Sequence, residues 1–179
     1  MTTGFNSRSV IPEGYQFPVG QETARILTNY VSDQYFETFA IPILSGRGFM
    51  QSDRSDSSLV AVVNQELAKR FFNGDAIGKR LRLDRNGPWI EIVGMTVTGN
   101  HITAFEPPLN FLYLPVSQHP QQRMALVAES FGDPTDLAGS LRETVRSLDP
   151  NVPIVEVRTM ENLFEQRAAK VGNMIIGIV

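Results

Sequence analysis

Apolar and polar residues alternate over several short stretches of the chain. Residues 24–32, A-R-I-L-T-N-Y-V-S, put Ile26, Thr28 and Tyr30 on one side of an extended backbone and are rich in β-forming types. A shorter strand is expected at 7–11, inside a Pro- and Gly-rich stretch over 6–20. Residues 59–63 form an unbroken apolar run of strand length. The Asn-Gly pair within D-R-N-G-P turns the chain between 79–83 and 89–97, which predicts a β-hairpin. Residues 110–116, N-F-L-Y-L-P-V, read as one more strand, whose Pro115 marks its end or a sheet edge.

Helical spacing takes over in three places. Tyr35, Phe36 and Phe39 gather on one face of a short helix over 34–40, with Asp33 as its cap and Pro42 as its stop; 41–44 then runs extended. Asn64 caps a helix over Gln65–Phe72, whose buried stripe is Leu67, Ala68, Phe71 and Phe72. Its Glu66 and its Lys69–Arg70 suit the two ends of the helix dipole, and Gly74 stands where a left-handed residue ends many helices. The last third reads as a β-α-β unit. Strands at 124–129 and 153–157 flank a helix that Asp133 caps and Pro134 opens. Leu137, Leu141, Val145 and Leu148 recur at helical spacing, so this helix is expected to cover one sheet containing both strands, with a right-handed crossover. Thr159 caps a final helix running from Met160 to about Lys170. The fold class is mixed α/β.

Length and composition narrow the function classes. The 179 residues fit one domain or two small lobes, and 42% hydrophobic residues suffice for a core. A net charge of −3 argues against a nucleic-acid surface, and no nucleic-acid partner is expected. With no cysteine there is no disulfide framework, thiolate nucleophile or zinc–thiolate site. The opening residues M-T-T-G-F-N-S-R-S-V hold no apolar run that would serve as a signal peptide.

Candidate chemistry is sparse. G-D-A-I-G-K-R at 74–80 lacks the glycine spacing of a phosphate-binding loop, has Arg80 where that loop has Ser or Thr, and enters a strand instead of a helix. His101 and His119 show no metal-ligand spacing, and Asp53 and Asp56 read as part of a solvated polar loop. No nucleophile-elbow pattern surrounds any serine, so no enzyme activity and no cofactor or metal are expected. Arg47, in G-R-G, reads as a structural guanidinium at a turn or as a contact for an acidic partner; the structural reading is favoured. Phe105, Leu109 and Phe111, with Pro107 and Pro108, offer either an apolar partner contact or the entry to a core strand, and the strand entry is favoured. The candidate partner contacts are therefore Arg47, Phe105 and Leu109.

One resemblance goes further than any of these signals. Residues 31–49 read V-S-D-Q-Y-F-E-T-F-A-I-P-I-L-S-G-R-G-F, and 60–83 read V-A-V-V-N-Q-E-L-A-K-R-F-F-N-G-D-A-I-G-K-R-L-R-L. Together they resemble the extracytoplasmic (periplasmic) core domain of MacB/FtsX-like ABC transporter permeases, in particular the large duplicated type of soil bacteria. The family often has Asp where this chain has Gly48, and Pro where it has Ala76. The resemblance implies a non-catalytic, two-lobed domain on the outer side of the bacterial inner membrane. It implies a β-α-β, porter-like lobe of 1–32 plus 116–170 and an inserted, sabre-like lobe of 33–115. Residues 171–179, V-G-N-M-I-I-G-I-V, would begin a transmembrane helix that nine residues are too few to complete. The implied partners are a cytoplasmic ABC ATPase, reached through the rest of a longer permease, and a periplasmic adaptor or other envelope protein. The implied function is mechanotransmission, in which ATP hydrolysis elsewhere drives export or envelope signalling. A stand-alone extracytoplasmic ligand-binding module is the alternative.

Overall fold

The computed structural model describes residues 6–99, 108–130, 132–163 and 165. The chain divides into two compact units, Met1–Ala125 and Leu126–Val179.

The first unit is built on one seven-stranded sheet. Its strands are β1 (Asn6–Pro12), β2 (Ala24–Val31), β3 (Ile43–Gly46), β4 (Val60–Asn64), β5 (Arg80–Arg82), β6 (Ile90–Thr96) and β7 (Phe111–Pro115). The order is β3-β6-β4-β7-β2-β1-β5, and β5 also pairs with β6. That last pairing closes β6-β4-β7-β2-β1-β5 into a ring of strands, with β3 added on β6. Closure removes most open edges. β2 runs parallel to β7 and β4 parallel to β6; the other pairs are antiparallel.

Strand alternation sorts the side chains into two cores. Val10, Ile26, Ala61, Val63, Leu81, Ile90, Ile92, Leu112 and Leu114 come from all six ring strands and meet in one cluster, which is the barrel interior. Helix α2 (Gln65–Phe72) adds Leu67, Ala68, Phe71 and Phe72 to it, the stripe expected from the sequence. Tyr15 seats its ring edge-on against Phe71, 4.9 Å between centroids. The intervening residues Val31, Val60, Val62, Phe111 and Tyr113 face outward and are covered by Phe36 of α1 (Tyr35–Thr38) and by Phe49. A register shift between Ala61 and Val62 gives β6 one extra residue, so Ile92 and Met95 both join the inner cluster while Val93 joins the outer one.

Several details differ from the sequence reading. Gln34, not Asp33, is the N-cap of α1, and the Asp33 carboxylate accepts the neighbouring Gln34 amide, 3.1 Å. Gly74 is left-handed as expected, φ 89°, but the turn that ends α2 already begins one place earlier at Asn73, φ 53°. Pro115 does end β7, but β7 is an inner strand between β2 and β4. The lobe division drawn from the resemblance cuts across the sheet. β1 and β2, grouped there with 116–170, hydrogen-bond to β5 and β7 of the supposed inserted lobe.

The second unit departs from the β-α-β expectation. Asp133 does start the helical stretch: its Oδ1 accepts from the Thr135 amide at 2.8 Å, over a 3-10 turn Pro134–Asp136 that leads into α3 (Leu137–Leu148). Thr159 Oγ1 accepts from the Asn162 amide at the head of a helical segment at 160–163. Neither 124–129 nor 153–157 is a strand among the described residues, and α3 buries no residue. The physical reason is the missing neighbourhood. A parallel strand pair is stable when it is covered on both faces and extended sideways by further strands. Val155, 78% exposed, and Leu126, 68% exposed, have no such cover.

Candidate functional site

Arg47 lies between β3 and Phe49, at the Gly46–Gly94 end of the β3–β6 pair. Gly46 opposes Gly94 in register, and a Cβ on Gly94 would come within 2.0 Å of the Arg47 carbonyl oxygen. A Cβ on Gly46, φ 71°, would in turn lie 2.1 Å from the Val93 carbonyl oxygen, which is why the G-R-G glycine at 46 is needed. The Arg47 guanidinium then turns onto Asp53 in a two-point contact, Nη1–Oδ2 2.8 Å and Nη2–Oδ1 3.0 Å. Nη1 also donates to the Gly48 carbonyl, 3.0 Å, and Asp53 Oδ2 accepts the Met50 amide, 2.8 Å. Burial works to raise the Asp53 carboxyl, but the Arg47 hydrogen bonds and the Met50 amide outweigh it and hold it below the usual carboxylate range. Asp53 is thus a buried member of a charge-assisted pair, not part of a solvated loop. The structural reading of Arg47 has a named partner, although its side chain is still 39% exposed.

Leu109 is half-buried and held by its backbone. Its carbonyl accepts from Asn64 Nδ2, 2.7 Å, while Asn64 Oδ1 accepts the amides of Leu67, 3.1 Å, and Phe111, 3.0 Å. One buried asparagine therefore both caps α2 and fixes the entry to β7. Phe105, Pro107 and His101 lie outside the described residues, as do residues 171–179. No helix among the described residues is long and apolar enough to cross a membrane.

Four amides of the 74–80 loop are already engaged within the protein. The amides of Gly74 and Asp75 donate to the Ala68 and Phe72 carbonyls, and those of Gly78 and Lys79 to Ile92 and Ala76. A phosphate would have to displace these bonds. His119 is half-buried against Tyr30, and burial, helped by the nearby Arg8 charge, pushes its imidazole below the ordinary value. Among the described residues no group of three or more His, Asp or Glu could hold a metal ion.

Two open grooves mark the surface of the first unit. One, of about 410 Å³, runs along α1 and β3 past Phe36, Glu37, Ile41 and Ile43. The other, of about 720 Å³, is more polar and passes Arg8, Tyr30, Asp84 and His119. The second groove is also lined by Ser7 and Ser9, but among the described residues no hydrogen bond joins either hydroxyl to His119, the contact a serine nucleophile would need.

Residues 4–144 match the family model of the MacB-like periplasmic core domain. The chain belongs to this family. Solved structures agree at the level of fold. The periplasmic region of MacB from Actinobacillus actinomycetemcomitans matches with a TM-score of 0.54 and 20% identity over 80% of this chain and 63% of that one. A domain of a putative permease protein from Porphyromonas gingivalis matches with a TM-score of 0.52 and 16% identity, over 89% of this chain and 78% of that one. The chain thus spans less than two thirds of the length of the MacB region it matches. No curated protein matches it. Neither structure bears on the soil-bacterial, duplicated type that the resemblance named.

The sequence reading missed Ser117 and Gln118. The Ser117 hydroxyl donates to the Asp53 carbonyl, and the Gln118 side chain meets Arg54, Ser57, Ser58 and Val60. Nothing in V-S-Q-H-P announces these bonds, because their partners lie about sixty positions away.

Proposed function

We propose that this chain is a non-catalytic extracytoplasmic part of a bacterial ABC permease, standing on the outer side of the inner membrane. It passes movement driven by a separate cytoplasmic ATPase to an export substrate or to an envelope partner. The observation that carries this reading is the family match over 4–144. The site geometry supports it: the loop nearest to a nucleotide motif has four of its amides engaged, and the guanidinium in G-R-G is paired with Asp53. Nucleotide chemistry therefore falls to another subunit. We assign the two lobes of the proposal to the two compact units, with the boundary after Ala125. Arg47, whose side chain is still 39% exposed, Phe105 and Leu109 remain the proposed contacts for an adaptor or other envelope protein, and the flanking membrane helices belong to the rest of the permease.

Movement is the testable content. The chain has no cysteine, so two can be placed for dyes without background, at Arg25 in the first unit and Glu143 in the second. In the full-length permease with its ATPase, energy transfer between the dyes is expected to change on ATP addition. The change should vanish with an ATPase that binds but cannot hydrolyse ATP. Transfer that stays constant through turnover would defeat the reading in favour of a static docking or ligand-binding module.

A further inference from the structure

The strongest unexplained feature lies where the chain leaves the barrel. The β4–β7 ladder pairs Val62 with Tyr113 and Val63 with Leu112, and then stops. Continued, it would bring Val60 opposite Pro115, which has no N–H to give to the ladder. The Pro115 carbonyl is also taken, by the amides of Gln118 and His119, each 3.1 Å, as the chain turns away. The buried Val60 amide would thereby lose its partner. The side chain of Gln118 supplies one: Oε1 accepts from the Val60 amide at 3.0 Å. The same amide group's Nε2 lies 2.9 Å from the Ser58 carbonyl, 3.0 Å from Ser57 Oγ and 3.1 Å from the Arg54 carbonyl. One residue earlier, the Ser117 hydroxyl donates to the Asp53 carbonyl. Asp53 is in turn gripped by Arg47 beside β3.

We propose that Gln118 is a clamp: a side-chain rung that continues the β4–β7 ladder past Pro115 and fastens the 47–58 loop to the exit of β7. Without it, the last residues of β7, Leu114 and Pro115, pair only with Tyr30 and Val31 of β2. A pull on the chain beyond 118 would then peel β7 from its C-terminal end, one rung at a time. With it, the pull is shared by β4, by the loop and, through Asp53 and Arg47, by the β3–β6 pair. The geometry stands by itself; its purpose rests on the transmission reading above. Gln118 is a positioning residue on this account and touches no ligand.

The test uses the whole 179-residue chain and two readouts that a general loss of packing would not produce together. In Gln118→Ala, hydrogen exchange at the Val60 amide should accelerate at least tenfold, while the mid-sheet amides of Val63 and Leu112 keep their wild-type rates. Pulled between cysteines placed at Asn6 and Glu129, the variant should yield at a lower force than wild type. Gln118→Glu keeps an acceptor for Val60 but turns a carboxylate toward the Arg54 and Ser58 carbonyls. It should leave Val60 protected and loosen residues 54–58. Should Gln118→Ala fail to fold, Ser57→Ala removes one half-buried partner, and the loop amides of 54–58 should exchange several-fold faster. Unchanged exchange at Val60 and an unchanged force would overturn the clamp. That failure is separable from failure of the transmission reading, which is decided by ATP-driven movement in the full-length permease.

Discussion

Each strand of the barrel ring has a hydrogen-bonded neighbour on both sides, and the alternate residues of β2, β4, β6 and β7 fill two separate cores. The unit from Leu126 onward has an equally regular sequence, with a capped helix and two β-type segments, yet α3 buries nothing and neither segment joins a ladder. The difference is one of neighbours and not of local propensity. A strand is stabilised by the strands and side chains that cover it, whereas a helix satisfies its own backbone bonds and needs only caps to appear. This is why Asp133 and α3 could be read from the sequence while 124–129 and 153–157 could not.

The largest expected effect sets a buried aromatic in one unit against an exposed leucine in the other. Phe71→Ala removes a ring that is 6% exposed and packed edge-on by Tyr15, so it should cost ~3–5 kcal/mol through lost transfer energy and a cavity. Leu148→Ala removes a side chain that is 82% exposed and should stay within about 0.5 kcal/mol of wild type. Chemical denaturation of both variants, followed by the single Trp89 in the first unit and by far-UV circular dichroism for the whole chain, checks the pair. A Leu148 variant as damaged as the Phe71 variant would show that α3 is packed after all.

Glycines give a second, smaller contrast. Gly46 has φ 71°, and a Cβ there would lie 2.1 Å from the Val93 carbonyl oxygen. Gly46→Ala should therefore cost roughly 1–3 kcal/mol from backbone strain alone, with the clash added. Gly139, within α3, has open space where a Cβ would stand, with nothing within 4 Å. Gly139→Ala should instead help the helix by about 0.5–1 kcal/mol. Thermal melts of the two variants should move in opposite directions; movement in the same direction would erase the contrast.

These cases also mark what the sequence could and could not disclose. The β5–β6 hairpin follows from Asn86–Gly87, and α2 from Asn64 and its apolar stripe, because each signal is local. The closure of the ring through β1–β5 was not legible: it pairs Ile11 with Arg82, and no pattern within either segment specifies the other. The same holds for the polar knots. Arg47 was visible as a special arginine, but its partner Asp53 looked like one more acid in a serine-rich loop. Gln118 carried no signal, since a glutamine becomes a rung only when a proline far along the chain from β4 has broken the ladder beside it.

The smallest expected effect is a response to mild acid confined to the barrel. His119 belongs to the first unit, and its imidazole is held below the ordinary value by burial first and by the Arg8 charge second. The groups facing it there are Arg8, the Tyr30 ring and, across the same groove, Asp84. The folded state thus binds a proton at His119 less readily than the unfolded chain does. Stability from the neutral ring is fully present above the unfolded value, about pH 6.5, and falls as the pH drops from there through the folded value. Between about pH 7 and 5 the denaturation midpoint read by Trp89 should therefore decline in wild type and decline less in His119→Gln. The second unit has no histidine, so exchange at its amides should not follow this titration beyond the ordinary pH dependence of exchange chemistry. If both proteins decline in parallel, His119 is as solvated as a free imidazole and the barrel owes it no acid sensitivity.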